Sequence, residues 1–260
     1  MISINLVGGL GNMMFQIAAL ESLAHLHKTE VRYSGLEKHF SYLNAEKKHN
    51  PSLQHAKDYL HIFSNFKWAS GRVNGGLKKV PFHYVPISFE DNKCYQGFFQ
   101  SEKYFPNRSF ILNLFSPSPH ITERLKIYDS VLEGKTCSLH IRRGDYVKFS
   151  KWHSLQSVSY YEKAMDEIRA DKYIVFSDDI QWCKKNLKGD KFIFIEDKDY
   201  VEMFVMSRCT HNITCNSSFS WWGAWLNKNN EKKVIGPSAW FGPNKNLVTK
   251  DIIPKSWKVI

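Results

Sequence analysis

Residues 136–146 read Thr136-Cys-Ser-Leu-His-Ile-Arg-Arg-Gly-Asp-Tyr146. A short run without charge, Cys137 to Ile141, stops abruptly at two arginines, a glycine and an aspartate, which is how a buried strand delivers a polar loop at its carboxyl end. The pattern repeats downstream. Ser159 followed three places on by Glu162 forms a capping box that opens a helix to about residue 170. A strand is expected at 173–176, ending in Ser177-Asp178-Asp179, then a helix at 180–187 and a strand at 192–195. Asp199 and Glu202 head a helix running to Cys209. A strand at 212–215 then ends in Asn216-Ser217-Ser218-Phe219-Ser220, followed by a short helix at 221–226 and a strand at 234–235. Strands alternating with helices imply βαβ crossovers and a parallel sheet, because parallel neighbours need a long connection. In such sheets ligands sit beyond the carboxyl ends of the strands, where the three polar clusters fall: Arg142 to Asp145, Ser177 to Asp179, and Asn216 to Ser220.

Working outward, the N-terminus repeats the theme once. Residues 2–7 read as a buried strand, Gly8-Gly9-Leu10-Gly11-Asn12 as a loop, and Met13, Met14, Ile17, Leu20 and Ala24 recur at helical spacing. The stretch from about 30 to 93 shows no clean period and reads as irregular. A boundary is expected near residue 130, giving an N-terminal domain at 1–130 and a C-terminal domain at 131–260.

The chain has 260 residues, 43% of them hydrophobic and 15% aromatic, which suffices for a core and excludes a disordered chain. Its formal net charge of +11 points to an anionic partner: a phosphorylated substrate, nucleic acid or an acidic membrane. The five cysteines are scattered without a CxxC pair, so neither a disulfide framework nor a zinc knuckle is encoded, and a reducing cytosol is the expected compartment. No secretory signal is expected from the first residues, and no apolar run approaches the ~20 residues of a membrane span. The sequons at Asn107, Asn212 and Asn216 are then chance matches.

Arg142 and Arg143 offer rigid forks of donors that match phosphate oxygens in pairs, and a diphosphate is the natural guest. Asp145 could orient an arginine, take a proton, or tie the loop down in a structural pair. Ser217, Ser218 and Ser220 stand where a strand enters a helix, a position that favours anions but is equally that of an ordinary cap. Asp178 and Asp179 could accept from a ribose or a base, or Asp179 could cap the following helix. Asp197-Lys-Asp199 has the DxD spacing that metal-bound sugar nucleotides use, although Asp199 already serves as a cap. Trp221, Trp222 and Trp225, at helical spacing, read as core sooner than as a stacking platform, and His140 as a buried core histidine. Gly8-Gly9-Leu10-Gly11 is not the GxGxxG of dinucleotide folds, which argues against a nicotinamide-dependent oxidoreductase.

Five segments, Gly8-Gly-Leu-Gly-Asn-Met-Met-Phe-Gln16, Gln96-Gly-Phe-Phe-Gln-Ser-Glu-Lys-Tyr-Phe105, His140-Ile-Arg-Arg-Gly-Asp-Tyr146, Phe176-Ser-Asp-Asp179 and Ser217-Ser-Phe-Ser-Trp-Trp-Gly-Ala-Trp225, together resemble the bacterial α-1,2-fucosyltransferases of glycosyltransferase family 11. The resemblance implies an α/β, GT-B-like architecture of two Rossmann-like domains whose parallel sheets face a cleft. It implies GDP-fucose as donor, a galactoside-terminated glycan, free or lipid-linked, as acceptor, inversion at the fucose anomeric carbon, and no cofactor or obligatory metal. Surface-glycan or O-antigen synthesis is the implied setting, in the cytoplasm, with peripheral attachment to the inner face of the membrane admitted by the charge. Carried onto this sequence, Arg142 looks like the arginine that grips the β-phosphate, with Asp145 beside it as a catalytic candidate. His140 looks like a nucleotide contact, Asp178 or Asp179 like the guanine-reading acid, and Ser217, Ser218, Phe219 and Ser220 like the loop around the phosphates. Gly9, Gly11 and Asn12 would approach the fucose or acceptor. The rival reading is a basic nucleic-acid-binding α/β protein without catalytic activity, which the spread of Lys and Arg along the chain, with no long basic run, disfavours.

Overall fold

The first strand, β1 (Ile2–Asn5), is buried at its three leading positions and leads through a glycine turn into α1 (Leu10–Leu26), most of whose residues are buried. It pairs in parallel with β2 (Val31–Ser34) on one side and β4 (Cys94–Gln96) on the other, and β3 (Leu77–Lys79) completes the sheet in the order β2-β1-β4-β3. The computed structural model describes residues 1–35, 38, 41 and 56–260. Three of these four strands lie in or border the stretch expected to be irregular. Strands of three or four residues are too short to show a period. Positions 36–55 of that stretch, apart from 38 and 41, lie outside the described residues. Ahead of the second sheet come α2 (Arg108–Leu114), capped by Asn107, and α3 (Pro119–Leu125).

The second sheet is built from β5 (Thr136–Ile141), β6 (Lys172–Ser177), β7 (Phe192–Phe194), β8 (His211–Ile213), β9 (Val234–Gly236) and β10 (Lys258–Val259), all parallel, in the order β10-β9-β8-β5-β6-β7. Counted from β5, this is the doubly wound order of a nucleotide-binding fold, with the chain reversing direction between β5 and β8. The helices are α4 (Gly144–Lys148), α5 (Val158–Ile168), α6 (Ile180–Asn186), α7 (Asp199–Met206) and α8 (Ser218–Trp225). The expected elements therefore form, with shifted ends. Ser157, not Ser159, caps α5 by accepting the Tyr160 N–H at 3.2 Å, and α8 begins three residues earlier than expected.

The described residues divide into two compact units, one of residues 1–35, 56–118 and 247–254, the other of 119–246 and 255–260. The boundary thus falls at Ser118/Pro119 rather than near 130. The reason is α3 and the turn after it: Ile121 and Leu125 are buried, Arg208 donates to the Leu125 carbonyl at 2.9 Å, and Arg124 and Tyr128 both bond Asp197. The tail also departs from a simple two-part division, since 247–254 belongs with the first unit, where Asp251 pairs with Lys103, before 255–260 adds β10 to the second sheet.

Beneath the second sheet Trp221 and Trp222 are fully buried, and Trp221 stacks on Trp225 at 6.0 Å, so the tryptophan run is core, as its spacing suggested. A buried amide network closes the same layer. Asn212 donates to Ser138 Oγ (2.7 Å) and to the Met206 carbonyl (2.8 Å), and Asn227 donates to Asn212 and to the Cys209 carbonyl. The sequons at Asn212 and Asn216 are therefore interior. Where α7 and α8 touch, Gly223 faces Met206 so closely that an added Cβ would lie 2.8 Å from the Met206 Cβ. Gly223→Ala gains about 1 kcal/mol of helix propensity, but overpacking costs about 1–3 kcal/mol. Urea unfolding should show a lower midpoint at unchanged slope. An unchanged midpoint would mean that the Met206 backbone yields without strain.

Candidate functional site

In the second unit, the polar clusters after β5 and β6 meet at one buried carboxylate. The Asp178 side chain is 4% exposed. Its Oδ1 accepts the Arg143 backbone N–H at 2.8 Å, and its Oδ2 lies 3.1 Å from Arg142 Nε. The approach is close enough that a Cβ on Gly144 would sit 2.3 Å from Asp178 Oδ2, so only glycine fits there. Arg142 is thereby fixed along one edge, and its Nη2 donates to Asp145 Oδ1 at 2.8 Å. Burial works against the Arg142 charge, but Asp178 and Asp145 outweigh it and hold the guanidinium above its ordinary value. A guanidinium carries five N–H donors. Among the described residues its one side-chain hydrogen bond is to Asp145, which leaves donors for a ligand.

Arg143 turns the other way. Its Nε donates to Asp179 Oδ2 at 3.1 Å, and its guanidinium lies 4.0 Å over the Trp182 ring. Asp179 caps α6 through the Trp182 N–H, while Ser177 Oγ accepts the Asp179 N–H. The two acids expected at a guanine therefore differ: Asp178 is an interior support for the arginine loop, and Asp179 is a helix cap that remains partly exposed.

At the end of β8, Ser217 caps α8 by accepting the Phe219 N–H at 3.3 Å, which gives it the role that local sequence allowed equally to Ser220. Ser220 is buried and donates to the Ser217 carbonyl, whereas Ser218 and Phe219 are half-buried at the helix start. β5 and β8 are the neighbours at the reversal point, so Arg142 and the N-terminus of α8 follow adjacent strand ends, a position where backbone N–H groups and the helix dipole favour an anion. Tyr146 ties the two loops, donating to the Asn216 carbonyl at 3.0 Å, with the Arg142 guanidinium 5.5 Å from its ring. Gln156 donates to Asn216 Oδ1 from behind. Neither Tyr146 nor Gln156 was singled out from sequence, because each acts through a partner at least 60 positions away.

His140 is buried with Nδ1 3.2 Å from Cys215 Sγ and its ring 5.4 Å from that of Phe219. Burial, then the Arg142 cation, pulls its imidazole down to about 3, and burial pushes the Cys215 thiol up to about 12. Both are neutral at pH 7. The DxD aspartates are engaged elsewhere: Asp197 holds Arg124 and Tyr128, and Asp199 is buried in the first turn of α7 with Oδ1 accepting the Tyr200 N–H. Asp199 is thus not the cap itself; Lys198 occupies that position.

The first unit repeats the geometry by itself. Its reversal lies between β1 and β4, and Gly9 caps α1 there, with Gly11 and Asn12 in the first turn. Gly8 is left-handed (φ +80°), and a Cβ on it would lie 2.3 Å from Asn12 Nδ2. Gln16 spans the turn, accepting the Val7 N–H at 3.0 Å and donating to the Val7 carbonyl at 3.1 Å. From the loop after β4, Gln100 Nε2 donates to Asn12 Oδ1 at 2.7 Å, while its own Oε1 is buried without a hydrogen-bond partner among the described residues.

The Glycosyl transferase family 11 profile matches residues 1–260. The chain is 32% identical to an alpha-1,2-colitosyltransferase of Escherichia coli, over 97% of this chain and 96% of that one. It is 30% identical to the O-antigen biosynthesis glycosyltransferase WbnK of Escherichia coli, over 95% and 97%. Among solved structures, fucosyltransferase NodZ from Bradyrhizobium superposes with a TM-score of 0.53 at 11% identity, covering 85% of this chain and 91% of that one. The α/β, GT-B-like expectation of parallel-sheet units holds in that likeness.

The depressed His140 generates a pH prediction. Its folded value lies below the ~6.5 of an unfolded histidine, so its contribution to stability is complete above about pH 6.5 and is lost as pH falls toward 3. His140→Asn should therefore show a shallower fall of unfolding free energy between pH 6.5 and 4 than the parent. Equal slopes would mean that the imidazole titrates normally in the folded chain.

Proposed function

Because the chain belongs to glycosyltransferase family 11, we propose that it transfers L-fucose from GDP-β-L-fucose to the 2-hydroxyl of a terminal galactoside, with inversion and without a divalent metal. The observation that carries the reading is the convergence of Arg142, held between Asp178 and Asp145, with the start of α8 at the reversal point of the second sheet. NodZ, whose fold is similar, has been soaked with GDP-fucose, and the galactoside 2-alpha-L-fucosyltransferase Sec1 of mouse is 25% identical over 87% of this chain.

In this mechanism departure of GDP develops negative charge on the β-phosphate. A guanidinium already fixed in position, with donors left over, stabilises that charge with little reorganisation, and the α8 N–H groups add to it. This is the task a metal would otherwise perform. Asp145 is committed to Arg142 at 2.8 Å, so we assign it to orienting the guanidinium rather than to proton transfer. The acceptor hydroxyl attacks the face opposite the leaving group, which turns a β-linked donor into an α-linked product. The half-buried side chain of Asn12, held by Gln100 at 2.7 Å, is the assigned contact of the first unit to sugar hydroxyls.

A second reading has a specific observation behind it: the E. coli relative named for colitosyl transfer. Colitose is the 3-deoxy counterpart of fucose, so the two donors share the nucleotide, the pyrophosphate and the leaving-group chemistry. Incubation with GDP-fucose and GDP-colitose in turn, against a galactoside panel, reading GDP release and product linkage, separates the readings. Release from neither donor would count against both.

Arg142→Ala is expected to lower transfer roughly a hundred- to a thousandfold, as loss of an oriented transition-state donor does, and Arg142→Lys nearly as much, because a point charge cannot span both carboxylates and a phosphate. Circular dichroism should show the fold retained. EDTA should leave the rate unchanged; loss of activity on chelation, restored by Mn²⁺, would overturn the metal-free mechanism.

A further inference from the structure

Beyond α4 the chain forms a turn that nothing in the proposed reaction uses. Segments 146–156 and 238–246 are bound to each other: His153 bridges Phe241 in antiparallel fashion, the Gly242 N–H donates to the Trp152 carbonyl at 3.1 Å, and the Asn244 N–H donates to the Lys151 carbonyl at 2.8 Å. A Cβ on Gly242 would lie 2.5 Å from the Ser150 carbonyl, so the two strands of this platform touch directly. From it project Val147, Phe149, Trp152 and Leu155, each between 36% and 54% exposed. Among the described residues, the other exposed large apolar side chains occur singly or, at Leu247 and Val248, as one pair, whereas these four fall within nine consecutive positions.

The charge on the same surface has one sign. Lys148 and Lys151 are exposed between the apolar residues, Lys245 lies 4.1 Å over the Phe241 ring, and neither segment contains an Asp or a Glu. Three kinds of partner compete for such a face. A nucleic acid would use the lysines and the aromatic rings but gains nothing from Val147 and Leu155. Protein interfaces are depleted of lysine in their apolar centres. An anionic bilayer uses everything present: rings of this size settle at headgroup depth, the aliphatic side chains enter the acyl boundary, and the lysine stems reach back so that their ammonium groups meet the phosphates.

We propose that the turn 147–155 is a peripheral membrane-docking surface that binds anionic lipid headgroups. It anchors without spanning, and no helix among the described residues is long and apolar enough to cross a membrane. The net charge of +11 draws the chain to the same surface from a distance. This inference does not rest on the identity of the sugar donor, and vesicle binding itself is read by sedimentation, with transfer to a soluble acceptor used only as a control.

The full chain is sedimented with vesicles of phosphatidylcholine alone, or of phosphatidylcholine and phosphatidylglycerol in equal parts. It should partition onto the anionic vesicles and weaken with added salt. Lys148→Glu with Lys151→Glu should lower the partition coefficient by roughly tenfold or more, since each lysine near a charged surface is worth about a fivefold factor. Phe149→Ser with Trp152→Ser should lower it by a similar factor while leaving the circular dichroism spectrum and transfer to a soluble acceptor unchanged. Equal partition onto both vesicle types, no partition onto either, or unaltered binding by both double variants would overturn the proposal. So would a loss of transfer to soluble acceptor with vesicle binding intact, because the turn would then be gripping glycan.

Discussion

The second unit's site depends on one almost fully buried carboxylate. Asp178 joins the end of β6 to the loop after β5, taking the Arg143 N–H on one oxygen and the Arg142 guanidinium on the other. Buried ion pairs of this kind add little net stability, yet removing one partner strands the other and costs about 3–5 kcal/mol. That asymmetry makes Asp178 a device for geometry. The rotamer freedom of a long arginine is removed when the chain folds instead of when substrate binds, so ordering it is not charged against the transition state. Gly144 follows from the same constraint, since any side chain there would push the carboxylate away.

Both units solve the placement problem in the same way. Each has a parallel sheet in which the chain runs outward in one direction and then returns to the other side of its first strand, leaving two adjacent strand ends without a helix crossing between them. The second unit fills the gap with Arg142 and the α8 start, a donor set for phosphate. The first fills it with Asn12 and Gln100, a neutral pair of hydrogen-bonded amides. The proposed reading assigns the charged donors of one unit to a nucleotide diphosphate and the neutral amides of the other to a sugar hydroxyl.

What the sequence disclosed tracks the range of each interaction. The strands β5 to β9 and the helices α5 to α8 were readable because local chemistry bounds them, as with the charged stop after Ile141 and the aspartate cap at Asp179, whereas α4 and β10 went unread. Local chemistry also misled where two candidates stood side by side, as with Ser157 and Ser159, since the choice depends on where the preceding loop delivers the chain. The strands β2, β3 and β4 were missed because at three or four residues their identity is conferred by the neighbours they pair with. The boundary was drawn 12 residues late because α3 looks like a connector until Arg208 and Asp197 are seen to hold it. The roles of Asp178 and Gln100 were beyond reach for the same reason: their partners lie 35 and 88 positions away, respectively.

The charge balance of the arginine loop constrains how an anion can bind there at all. Arg142 and Arg143 face Asp145, Asp178 and Asp179, so the cluster carries no net positive charge, and a diphosphate gains nothing from its summed field. The +11 of the whole chain raises the rate of encounter but cannot choose a binding mode at close range. Affinity must come from direction. Asp178 lies behind the guanidinium, 4% exposed, and the neutral His140 and Cys215 beneath it add no competing charge at pH 7. In the proposed reaction the remaining guanidinium donors and the first N–H groups of α8 are the groups assigned to phosphate oxygens, and their strength would rise as the ligand itself excludes water. A site so balanced is indifferent to diffuse negative charge and responsive to charge delivered along the donor axes, which is the property required if stabilisation is to grow as the leaving group departs.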